Sequence, residues 1–116
     1  MPETYYPKPS PALSAKRRAL APETDKTFQA FSRQVFAEGA LSVNVKHLIA
    51  VAVAHVTQCP YCIDAHTKAA LRSGAIPEEV MEAIWVASEM RAGAAFAHST
   101  LALAAMDEEQ QRSKGE

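Results

Sequence analysis

The sequence predicts an all-α protein, and three observations carry that prediction. Apolar residues recur three and four positions apart along most of the chain, the spacing of one helix face. Helix-starting prolines and capping residues alternate with helix-ending glycines. The chain has 116 residues, 48% of them hydrophobic, and many of these are alanine. Alanine favours helix but buries little area. A small alanine-rich chain is therefore expected to form one helical-bundle domain that completes its core by helix packing between subunits.

The elements follow in order. Residues 1–11 hold four prolines and the tyrosine pair Tyr5-Tyr6, which reads as an extended arm able to pack through those rings. A short helix over 12–21 would place Lys16, Arg17 and Arg18 in solvent, and residues 1–21 together form the N-terminal arm. Pro22-Glu23-Thr24-Asp25 carries helix-start chemistry. Phe28, Phe31, Val35 and Phe36 then repeat at helical spacing toward Gly39. This predicts a helix over 24–38 with the phenylalanines in the core, Phe31 or Phe36 being candidates to line a pocket.

Ser42 can cap a helix over 43–57. Its run from Leu48 to Ala54 is apolar all round, as expected of the buried central helix of a bundle. Pro60 opens a helix ended by Gly74. Pro77, followed by two acids, opens another to about 92, with Val80, Ile84 and Ala87 on its apolar face, widened by Trp85. Gly93-Ala94-Ala95 marks a break or a close packing point before a last helix over 94–108, which carries His98 at a packing or interface position. The helical domain thus spans 22–108, and 109–116 reads as a charged, frayed tail.

Chemistry concentrates in Cys59-Pro60-Tyr61-Cys62-Ile63-Asp64-Ala65-His66, which holds both cysteines and one of four histidines. On a helix beginning at Pro60, Cys62 and His66 are i,i+4 neighbours about 40° apart, and Cys59 falls within about 60° of both. The CxxC spacing allows a reversible disulfide across one turn. The positive end of the helix favours thiolate over thiol, and His66 can exchange protons with Cys62. Such a set suits a dithiol redox site, in which one thiolate attacks an oxidised substrate and the second closes a disulfide. His47 and His55 lie on the preceding helix about 80° apart, each within reach of the thiols if that helix points at them. A competing reading makes Cys59, Cys62 and His66 zinc ligands, with His47, His55 or His98 as a fourth.

The run Lys46-His47-Leu48-Ile49-Ala50-Val51-Ala52-Val53-Ala54, followed by Gln58-Cys59-Pro60-Tyr61-Cys62-Ile63-Asp64-Ala65-His66, resembles the AhpD-like alkylhydroperoxidase core of the carboxymuconolactone decarboxylase family. The resemblance continues through Gly74-Ala75, Glu79-Val80 and the stretch 92–98, covering about residues 24–105. It implies an all-helical fold, assembly as trimers or hexamers, and thiol-dependent reduction of hydroperoxides. It assigns Cys62 as the peroxide-attacking sulfur, Cys59 as the resolving one and His66 to the proton relay. Helix-end electrostatics alone would favour Cys59 as nucleophile. Where that family usually carries a glutamate, twelve residues before the first cysteine, this chain has His47, whose imidazole can shuttle protons near neutral pH. The slot between the cysteines, which can hold a histidine, is Tyr61. The decarboxylase branch generally lacks the CxxC pair, which makes lactone decarboxylation the alternative activity.

The expected partners are a hydroperoxide, an external dithiol reductant and further copies of the chain. No cofactor and no resident metal are expected. A net charge of −1 gives no electrostatic footprint for nucleic acid or an anionic membrane. The start of the chain is proline-rich and polar, unlike a signal peptide, and residues 48–54 are too few to span a bilayer. A cytoplasmic location follows as the expectation, where paired cysteines are more often catalytic or metal-binding than structural.

Overall fold

A computed structural model describes residues 6–115. Five helices follow one another: α1 (Pro11–Leu20), α2 (Pro22–Phe36), α3 (Val43–Thr57), α4 (Pro60–Arg72) and α5 (Pro77–Gly115). No strand occurs among the described residues. Proline stands at the start of α1, α2, α4 and α5, where its missing N–H costs no hydrogen bond. Ser10 accepts from the Leu13 amide at 3.2 Å and Ser42 from the Val45 amide at 3.4 Å, each satisfying one orphan donor of the first turn. At the start of α5 the Glu79 carboxylate reaches back to the Ile76 amide at 2.9 Å, half of a capping box.

α3 is the centre of the molecule, packed against both α4 and α5. Val51 is wholly enclosed, and with Ala70, Ala75 and Val80 it forms the core cluster, to which Leu48 and Ile84 add their partly buried side chains. Most of these positions are alanine or valine, so the helices can approach closely while each contact contributes little area. Arg91 on α5 donates to the Val56 carbonyl at 2.7 Å, tying α5 to the last turn of α3. Lys46 does the same at the other end, donating to the carbonyls of Val35 (2.8 Å) and Ala37 (2.6 Å) at the close of α2.

Between α3 and α4 the chain turns in two residues. Gln58 adopts φ 59°, ψ 51°, a left-handed helix cap, and the amides of both Gln58 and Cys59 converge on the Ala54 carbonyl. Gly74 closes α4 at φ 104°, a conformation that costs a glycine nothing.

Two expectations change. Residues 77–92 and 94–108 are not separate helices, and the described part of the expected tail, 109–115, is helical, because α5 runs unbroken from Pro77 to Gly115. Gly93 costs its helix only about 1 kcal/mol relative to alanine. Its neighbours are strong helix formers, no proline follows Pro77, and Arg112 holds Glu109 one turn back through two hydrogen bonds. The second change concerns the phenylalanine stripe of α2. Phe28 is 60% and Phe31 62% exposed, and Trp85 on α5 is exposed as well. α2 leans away from the α3–α4–α5 body and touches it through its last turn, so among the described residues Phe28 and Phe31 stay largely uncovered.

The outer shape reflects this. The chain extends 66 × 37 × 36 Å with a radius of gyration of 20.9 Å, against roughly 13 Å for a compact domain of similar length.

The arm folds back as far as it is described. Tyr6 packs edge-on against Tyr61 with ring centroids 5.7 Å apart, and the Tyr61 hydroxyl donates to the Pro7 carbonyl at 2.8 Å. Tyr5 lies outside the described residues. Arg18 is not simply solvated, since it pairs with the mostly buried Asp25 carboxylate at 3.6 Å.

Candidate active site

The α3–α4 corner places the chemistry. Cys59 is the N-cap of α4, and its sulfur accepts from the Cys62 amide at 3.2 Å. Cys59 and Cys62 form a disulfide, with Cα atoms 5.3 Å apart, inside the range that such a bond requires. The corner therefore holds the oxidised form of the pair. A sulfur at the N-cap faces the amide donors of the first helical turn, so once reduced Cys59 is the sulfur best stabilised as thiolate.

α4 runs back antiparallel along α3, and the register is fixed at both ends. Cys59 meets Ala54 at the corner, and His66 meets His47 further down, their Nδ1 atoms 3.0 Å apart. One Nδ1–H serves both atoms, so one ring donates and the other accepts. Phe36, at the end of α2, covers both imidazoles in near-parallel stacks, with centroids 4.7 Å from His47 and 5.0 Å from His66. Burial is the first cause that pushes the His47 pKa below the usual imidazole value, and repulsion from a protonated His66 is the second. Both causes favour the neutral form of His47.

An open cavity of about 460 Å³ lies against this arrangement. Cys62 and His66 are its chemical groups, and the remaining lining is almost all apolar, with Phe36 and Val35 as one wall and a face of α3 as the floor. Cys59 and His47 stand behind their partners and do not line it. A second cavity reaches Cys62 from the side of the arm, between Tyr61, Phe28 and α1.

The other sequence candidates lie as follows. His55 is turned onto its own helix, with Nδ1 2.8 Å from the Val51 carbonyl, and does not line the cavity beside Cys62. His98 is exposed on α5. With the two sulfurs bonded to each other, the described residues contain no group of three or more histidine, cysteine or acidic side chains arranged to hold a metal ion.

Of the two pocket candidates on α2, Phe36 lines the cavity and Phe31 does not. The double stack of Phe36 on the imidazoles is not readable from its spacing, because it depends on the angle between α2 and α3. Lys46 is adjacent to His47, and nothing local reveals that its ammonium holds the end of α2.

This arrangement defines a helical dithiol protein with a CxxC pair at a helix start and a histidine couple behind it. The chain belongs to the carboxymuconolactone decarboxylase family, whose pattern matches residues 22–105. It is 58% identical over 108 residues to a protein of Paracoccus denitrificans named uncharacterized protein 4 in cox locus, covering 93% of this chain and 96% of that one. Among solved structures, an apo carboxymuconolactone decarboxylase family protein from Legionella pneumophila superposes with a TM-score of 0.66 at 33% identity, over 84% of this chain and 87% of that one. A structural-genomics protein from Methanobacterium thermoautotrophicum gives a TM-score of 0.67 at 34% identity, over 72% and 93% of the two chains. The all-helical architecture and the AhpD-like core expected from the sequence are therefore those of the family. No helix among the described residues is long and apolar enough to cross a membrane.

Proposed function

We propose that the protein is a thiol-dependent peroxidase of the AhpD-like type, which reduces hydroperoxides through Cys62 and Cys59. One observation carries this reading: Cys62, disulfide-bonded to Cys59, opens with His66 onto one cavity. In the reduced protein the Cys62 thiolate attacks the outer oxygen of ROOH. The O–O bond breaks, Cys62 becomes a sulfenic acid, and RO⁻ takes a proton from the His66–His47 couple to leave as ROH. The Cys59 thiolate then attacks the Cys62 sulfur. The disulfide forms, and hydroxide leaves and is protonated to water.

An external dithiol resets the site. Its thiolate attacks one sulfur, its second thiol completes the exchange, and it departs as a disulfide while both cysteines return as thiols. The amide at the α4 N-cap makes Cys59 the better leaving sulfur, which directs that attack to Cys62, the sulfur on the cavity. Such cycling needs a reducing compartment, which supports a cytoplasmic setting.

The reading includes a homo-oligomer, a trimer or hexamer. Among the described residues the apolar stripe of α2 at Phe28 and Phe31 and the distal half of α5, with Phe96 81% exposed, stand uncovered, and large exposed apolar patches mark contact surfaces.

The test is kinetic. Protein supplied with dithiothreitol should consume cumene hydroperoxide, and Cys62→Ser should stop turnover. Cys59→Ser should instead leave a Cys62 sulfenic acid that dimedone labels. Undiminished turnover by Cys62→Ser would refute the assignment.

A further inference from the structure

The cavity beside Cys62 is longer and more apolar than hydrogen peroxide needs. Its floor is one continuous stripe of α3 from Lys46 through Ile49 and Val53 to Thr57. The helical rise from Lys46 to Thr57 makes that stripe about 16 Å long. Between its ends the floor is aliphatic, and Val35 and Phe36 wall it on the α2 side. A small polar peroxide gains nothing from such surface, whereas a hydrocarbon chain gains roughly 0.8 kcal/mol for each buried CH₂.

The two ends of the stripe differ. At the α3 N-terminus stands the half-buried Lys46. Its ammonium donates to the Val35 and Ala37 carbonyls, which leaves one of its three N–H groups. Among the described residues no carboxylate pairs with it. An apolar groove thus ends in a positive charge that no acidic side chain neutralises. The α3–α4 register places Cys62 between the Ala54 and His47 contacts, opposite the middle of the floor and away from either end.

We propose that the site selects hydroperoxides of long-chain carboxylic acids, with the carboxylate on Lys46, the chain along the α3 floor and a mid-chain –OOH at Cys62. This rests on the reading of Cys62 as the peroxide-attacking sulfur. The chemistry is unchanged, and the product is the corresponding hydroxy acid. Lys46 acts as a specificity residue. It takes no part in breaking the O–O bond, and because its ammonium also holds the end of α2, its role is read from the discrimination between acid and ester.

Two measurements separate this proposal from the peroxidase reading. In the first, laurate and methyl laurate, neither of them reactive, are titrated into the full-length protein by calorimetry. One charge-assisted hydrogen bond predicts binding of laurate about tenfold tighter than of its ester. Lys46→Met should erase that difference and Lys46→Arg should keep it. Equal binding of acid and ester by the unaltered protein would overturn the proposal, and that comparison does not depend on whether Lys46→Met folds. In the second, kcat/KM is compared for linoleic acid hydroperoxide, its methyl ester and hydrogen peroxide. A preference for the acid, seen in KM, supports the proposal. Equal use of acid and ester overturns it while leaving the peroxidase reading intact. If no hydroperoxide is consumed but laurate binding still requires Lys46, the role of Cys62 falls and the ligand class stands.

Discussion

The α3–α4 pair with the first turns of α5 and the outlying α1–α2 pair with the distal half of α5 obey different rules. In the first region side chains close on one another, Val51, Ala70 and Val80 are buried, and both cysteines and the histidine couple are held in register. In the second no residue of α1 or α2 is fully buried, and Phe96, Leu101 and Leu103 of α5 stand in solvent. The same residue types therefore do two jobs. Where Val, Ala and Leu meet within the chain they position chemistry, and where they do not they form a surface that needs cover. Hydrophobicity marks what must be buried and leaves open which chain does the burying.

The sharpest way to break this contrast is to place the same charge in each region. Val51→Asp puts an unpaired carboxylate in the enclosed core, where the penalty is several kcal/mol, and should abolish cooperative unfolding by circular dichroism. Phe96→Asp should leave helicity intact and instead lower the solution mass measured by light scattering. An unchanged mass for Phe96→Asp would mean that distal α5 is not a contact surface.

The next largest effect is on the histidine couple, where the two regions touch through Phe36. Phe36→Ala removes the ring that covers both imidazoles and should lower kcat/KM for hydroperoxide by roughly tenfold, the lower end of proton-transfer contributions being a hundredfold. Acidification gives the matching stability signal. His47 is held below its ordinary pKa, so the unfolded chain binds a proton that the folded ring resists. Its contribution to stability is present above the usual imidazole value of about 6.5 and is lost as pH falls through the depressed value. The melting temperature should therefore drop on acidification below that value, and His47→Gln should flatten the slope. Parallel profiles for the two proteins would count against the couple.

The smallest effects come from two glycines, one in each region. Gly74→Ala should cost about 1 kcal/mol, because φ 104° suits only glycine although space around it is open. Gly93→Ala should gain about 0.5–1 kcal/mol, since the atoms an added methyl meets belong to the flexible Glu89 carboxylate, 3.1 Å away. Urea titrations of both variants check the signs.

Legibility in the sequence divides along the same line. The capped starts at Ser42, Pro60 and Pro77 and the stop at Gly74 are local events, so helices α3 and α4 appear at or close to their expected bounds. The pairing of Cys59 with Cys62 and the cavity that Cys62 shares with His66 are legible because these residues lie on one helix start. The contact of His47 with His66 needed the antiparallel register, which Gln58 sets by taking a left-handed cap that glutamine gives no warning of. The continuity of α5 was hidden by Gly93, whose modest cost looks in isolation like a stop. The exposure of Phe28 and Phe31 was hidden because an amphipathic period is the same whether the face meets its own chain or a neighbour.

The two-residue joint at Gln58 has a consequence for how this protein can change over time. A residue added there would disrupt the left-handed cap that turns the chain from α3 into α4, and both sulfurs and His66 would lose their register with His47 together. Insertions at the joint are thus disfavoured, while the cysteine pair and the histidine couple travel as one uninterrupted cassette from α3 through α4. The wall formed by α2 is outside that cassette and can be remodelled alone, so descendants of this scaffold are free to exchange their substrates without rebuilding their chemistry.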